Sequence, residues 1–177
     1  DEFGELLQDY PIVSIITDSL SLFDYDTGIY VLGANYSSTN SQWTGNCFMK
    51  GVAWERQCHI EYFDDQDLTW AQNFGMRING GKTRGSAQKS LRMYARDELG
   101  AAKFNHQFFE TKDKKVFDKL MFRAHFGCWN QTMIKDALTA YVSRDLDYDS
   151  QHAKPTVVFM NGEYWGIHTI RDYYDSN

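Results

Sequence analysis

The sequence predicts an α+β fold, an antiparallel β-sheet with one main packed helix and a following β-hairpin. Three observations predict it. Apolar residues alternate with period two through 52–63, and again on either side of a glycine-rich loop at 80–85. Residues 131–143 instead repeat their apolar side chains at helical spacing. Asn161-Gly162 stands between two β-rich runs, a strong hairpin signal, because a type I′ turn needs positive φ at both central residues.

In chain order, residues 1–10 are acidic and irregular, and 11–17, starting at Pro11 and rich in Ile, Val and Thr, read as a strand. Residues 24–28 are a turn and 29–32 a short strand. Residues 33–51 have loop composition over a length that is usually functional or mobile. The strand at 52–63 puts Val52, Trp54, Arg56, Cys58, Ile60 and Tyr62 on one face, with Glu55, Gln57, His59 and Glu61 on the other. After a turn at 64–67, residues 68–72 form a short strand. The next strand carries Phe74, Met76 and Ile78 on one face, and its partner carries Lys89, Leu91 and Met93, so one lysine shares an otherwise apolar face.

The loop between these last two strands exposes backbone N–H groups at Gly80, Gly81 and Gly85, and adds the charges of Lys82 and Arg84. Such a loop can bind phosphate. Taken alone, a basic hairpin with a solvated turn is the simpler reading. Residues 119–124 make a further strand. Asn130 is the candidate N-cap of the helix, whose Met133, Ile134, Ala137, Leu138, Tyr141 and Val142 face one way and Lys135, Asp136, Thr139 and Arg144 the other. Residues 155–160 and 163–170 complete the hairpin.

Composition narrows the function. The 177 residues suffice for one domain with a core, or one and a half small ones. A net charge of −6 argues against general nucleic-acid binding, which needs a dominant positive field. No apolar run approaches the ~18 residues of a membrane span, and the start at Asp1 suggests a processed or trimmed form. Cys47, Cys58 and Cys128 form no C-x-x-C pair, which excludes a cysteine zinc site and leaves open one disulfide with a free thiol, or three thiols. His59-x-Glu61 matches part of a zinc deaminase signature without its later Pro-Cys-x-x-Cys. Asp145-x-Asp147-x-Asp149 opens like a calcium loop, but Ser150 and Thr156 stand where Gly and Glu belong, so no metal site is assigned.

Together these pieces resemble the spore coat protein H (CotH) kinase family of atypical protein kinases. The matching motifs are Gly75-x-Arg77-x-x-Gly80-x-x-Thr83-Arg84, Gln88-Lys89-Ser90-Leu91-Arg92-x-Tyr94-Ala95-Arg96, Leu99-Gly100 with Phe104-Asn105 and Phe109, and Asn161-Gly162-Glu163-Tyr164-Trp165-Gly166-Ile167. Similar too are Tyr10-Pro11 through Gly28-Ile29-Tyr30-Val31, Trp54-Glu55-Arg56 and the Arg123…Gly127-x-Trp129 stretch.

The resemblance implies that residues 11–177 are the N-terminal portion of the kinase domain, like a kinase N-lobe, and that Lys89 contacts ATP phosphates. Arg77, Arg84, Gly80 and Gly81 would lie near them, and Asp172 would lead toward the adenine. The chain has Asp172 where the family usually has Glu, and Ala87 where it often has Pro. The resemblance also implies ATP with Mg2+ or Mn2+, a protein substrate carrying Ser or Thr, and a secreted or cell-surface location. The metal-binding and catalytic carboxylates are expected beyond Asn177, leaving no catalytic residue in this span and no turnover by it alone. A buried Lys89 needs an acidic partner, with Asp136 the first candidate and Glu98 or Glu163 the others, as counterpart of the kinase lysine–glutamate pair. A non-catalytic domain recognising protein or glycan on the same scaffold is the competing reading, since Tyr and Trp supply binding surface at low entropic cost.

Overall fold

The alternating strands close on themselves as a barrel. The computed structural model describes residues 9–40, 42–110, 113–125, 132, 135–143 and 151–173. Its strands are β1 (Ile12–Ile16), β2 (Arg56–Asp64), β3 (Asp67–Asn79), β4 (Ser90–Tyr94), β5 (Phe104–Asn105), β6 (Val116–Phe117), β7 (Lys119–Arg123), β8 (Ala153–Met160) and β9 (Glu163–Asp172), with helices α1 (Ser19–Phe23) and α2 (Lys135–Val142). Around the barrel the order is β1-β2-β3-β4-β7-β9-β8, and β5 pairs separately with β6. The barrel pairings are antiparallel except β1 with β8, which is parallel.

Period-two alternation fills the interior. Ile15 faces Ile60, Cys58 faces Phe74, Met76 faces Met93, Leu91 faces Phe122, and Phe122 faces Ile170, all buried. Phe104, Phe108 and Phe117 extend this core, with Phe108 against Tyr62 at 5.4 Å between ring centroids and Phe104 against Phe74 at 6.5 Å. Truncating such a phenylalanine to alanine costs about 3–5 kcal/mol.

The predicted hairpin forms, with Asn161 at φ +51° and Gly162 at φ +84°. Asn161 also closes the barrel: its amide donates to the Ile15 carbonyl at 2.8 Å, and its side-chain oxygen accepts from the Thr17 amide at 2.9 Å. One turn residue thereby ties the last hairpin to the first strand.

Three local expectations are corrected. Residues 29–32 are not a strand, because the amides of Ile29 and Tyr30 bond back to the carbonyls of Ser21 and Leu22 at the end of α1. That helix, capped by Asp18 accepting from the Leu20 amide, is too short to leave a periodic signal. Residues 52–54 form a 3-10 turn with Val52 71% exposed, so β2 begins only at Arg56. The two strands expected at 68–72 and 74–78 are one continuous strand, β3.

Within the long 33–51 segment, buried Asn46 donates to the Tyr25 carbonyl at 3.0 Å and accepts from the Asn35 side chain at 2.7 Å. Helix α2 exposes Leu138, Tyr141 and Val142, while Asn130, Met133, Ile134 and the 145–149 acidic run lie outside the described residues. Cys47 and Cys58 are buried free thiols, and Cys128 is also outside. Among the described residues no helix is long and apolar enough to cross a membrane.

Candidate functional site

Lys89 immediately precedes β4 and is 5% exposed. Its Nζ donates to the Ser86 carbonyl at 2.7 Å and lies 5.0 Å from the Tyr30 ring centroid. Burial lowers its pKa below the usual lysine value, and the neighbouring Cys47 thiol opposes that shift. Among the described residues no carboxylate pairs with it. Glu98 is exposed in a 3-10 turn and Glu163 is exposed at the start of β9. The Asp136 side chain lies outside the described residues. The described groups at Nζ are thus a carbonyl and an aromatic face. An ammonium has three donors. One is directed at Ser86.

The backbone of Lys89 is gripped from two sides. Its amide donates to the Tyr30 hydroxyl at 3.0 Å, and its carbonyl is 3.2 Å from His168 Nε2. Burial pushes His168 down to about 4, so the ring is neutral at pH 7. The carbonyl contact puts its proton on Nε2 and leaves Nδ1 as an acceptor. The Tyr30 hydroxyl also accepts from Trp165 Nε1 at 3.0 Å, and Phe23, Tyr30 and Trp165 form a ring cluster with centroids 5.2–6.2 Å apart. Gln88 donates to the Ile167 carbonyl at 3.0 Å.

The other predicted residues divide. Gly80, at φ +115°, and Gly81 enter the 3-10 turn Lys82–Gly85. Arg84 is near Lys89 but is buried and turned inward, with Nε donating to the Gly80 carbonyl at 2.6 Å and Nη1 to the carbonyls of Cys47 at 3.1 Å and Met49 at 2.9 Å. It fastens the glycine loop to the 46–49 turn, and burial lowers its pKa. Arg77 alternates with Met76 and Ile78 onto the outer face, where Nε is 2.7 Å and Nη2 2.6 Å from Glu55 Oε2. Arg96 meets the same carboxylate at 2.7 Å, and the two arginines hold Glu55 below the usual glutamate range despite its burial.

Asp172 is buried at the far end of β9, its carboxylate accepting from the His152 amide at 3.0 Å. It lies four residues past His168, roughly 13 Å along the strand at ~3.3 Å per residue. Arg84 is thus joined to Gly80 directly, and Arg84 and Lys89 both neighbour Cys47, whereas Arg77 lies on the outer face and Asp172 at the far end of β9. Sequence reasoning missed the roles of Tyr30, Gln88, Trp165 and His168. Three of these stand inside the motifs quoted above, and His168 follows directly on the last, so the motifs were a usable signal.

A family model described as CotH kinase protein matches residues 76–177, more than half of the chain, from within β3 through β9. No curated protein matches the chain.

Proposed function

The chain belongs to the CotH kinase family, and from that premise we propose that residues 11–177 are the nucleotide-binding portion of an atypical kinase transferring the γ-phosphoryl of ATP to protein Ser or Thr. Membership itself carries a kinase-like function at the level of the family; the nucleotide, the acceptor and the residues are the proposal. One observation supports it above the others: Lys89 is a buried cation whose described neighbours supply no counter-charge, at the end of a glycine-bearing loop. A buried ammonium is unfavourable unless an anion compensates it, and a phosphate oxygen entering at Nζ does so. Arg84 shapes the loop and adds positive potential.

Mg2+ or Mn2+ accompanies the nucleotide in this reading of the complete domain. Among the described residues no group of three or more His, Cys, Asp or Glu could hold a metal ion, so none is assigned to it and no step is routed through it. The test is calorimetric titration of ATP into the full chain and its Lys89→Ala variant. The proposal expects affinity to fall about tenfold or more, the worth of a charge-assisted hydrogen bond; equal affinities refute it. Exposed Tyr25, Trp43 and Tyr164 favour a second reading, a protein- or glycan-recognition surface, which predicts no ATP binding in either form.

A further inference from the structure

We infer that Gln88 is a positioning residue that sets Lys89 for phosphate contact; this rests on the nucleotide reading above. The register of β8 against β9 slips between Val158, which pairs with Gly166, and Phe159, which pairs with Tyr164, leaving Trp165 as the extra residue. At that slip Gly166 adopts φ +98°, and a Cβ added there would lie 2.6 Å from Gln88 Nε2. The missing side chain leaves the space into which the Gln88 carboxamide fits. There Nε2 donates to the Ile167 carbonyl at 3.0 Å, with the Trp165 carbonyl and His168 Nδ1 at the outer limit of bonding, 3.5 and 3.4 Å.

The residue that follows is Lys89, whose amide and carbonyl are held by Tyr30 and His168, and Trp165 in turn holds Tyr30. Two motifs more than seventy residues apart are therefore halves of one device, with the bulge in β9 as socket and Gln88 as plug. Fixing the backbone on both sides of a long flexible side chain reduces the conformations lost when it meets its ligand. No described group other than the Ser86 carbonyl directs the Lys89 ammonium by hydrogen bonding, so its aim depends on that backbone.

The test is a double-mutant cycle on the full chain, with ATP affinity by calorimetry and melting temperature recorded for wild type, Gln88→Met, Lys89→Met and the double variant. Methionine keeps the length of glutamine and removes its donors. Expected is an affinity loss of about tenfold in Gln88→Met, the scale of a small misplacement of a binding group, and no further loss when Gln88→Met is added to Lys89→Met. An unchanged Gln88→Met affinity, or the same fold loss in both backgrounds, overturns the positioning role. If Lys89→Met leaves affinity unchanged, the nucleotide reading itself fails. Should Gln88→Met not melt cooperatively, Gln88→Asn, which keeps the amide and shortens its reach, takes its place with the same expected coupling.

Discussion

Two cationic regions sit on this barrel, and they are managed in opposite ways. On the outer face Arg77 and Arg96 converge on the single carboxylate of Glu55, with contacts of 2.6–2.7 Å. Just before β4, Lys89 is more deeply buried and meets a carbonyl and the face of a tyrosine. The first region is complete without a ligand. In the second no described residue supplies a counter-charge, and on that ground the paired arginine is read as part of the fold and the lysine is proposed for the ligand.

Glu55 offers the largest way to break the comparison. Glu55→Gln leaves two arginines without their anion, and removing one partner of a largely buried pair costs about 3 kcal/mol. A urea denaturation midpoint should drop accordingly. If Arg77 also served the nucleotide, freeing it would raise ATP affinity; the account expects no change in folded protein.

His168 sharpens the comparison through pH. Its folded pKa, about 4, lies below the ordinary 6.5, so the unfolded chain binds the extra proton between those values. Stability should therefore be fully present above about pH 6.5 and be lost as pH falls toward 4, by up to about 3 kcal/mol from this group. His168→Gln should flatten that part of the denaturation profile. An unchanged slope would mean that another group carries it.

Lys89→Met should have the opposite sign to Glu55→Gln. Removing a buried charge that no described residue compensates, and keeping the packing, should raise stability by about 1 kcal/mol. A loss of stability as large as that of Glu55→Gln would make Lys89 a structural residue. Smallest is Gly162→Ala, which puts a Cβ at φ +84° in open space and should cost about 1 kcal/mol from backbone strain alone, with no effect on ATP binding.

Legibility followed the range of each signal. The faces of β3 and β4 and the Asn161-Gly162 turn were legible because alternation and turn chemistry act over a few residues. Closure of the barrel was not, because residues 12–15 pair in parallel with 157–160 and nothing local marks that pairing. Lys89 was legible as a lysine on an apolar face, but its setting was not. Tyr30 reaches it from a bend that reads as a strand, and the Gly166 bulge is visible only once β8 and β9 are in register. Arg77 and Arg84 carry the right charge for phosphate, and sequence could not reveal that Glu55 and three carbonyls engage them.

The most direct measurement is the titration of the Lys89 ammonium itself, by NMR of lysine side chains assigned with Lys89→Arg, in the free chain and with ATP bound. Buried with no anion among the described residues, Lys89 should titrate below the ordinary 10.5 when free and shift upward when ATP supplies the counter-charge. Because the bound form holds its proton more tightly, ATP affinity should fall as pH rises through the free value. A Lys89 that titrates at or above the ordinary value in the free chain, and does not move with ATP, would contradict the account.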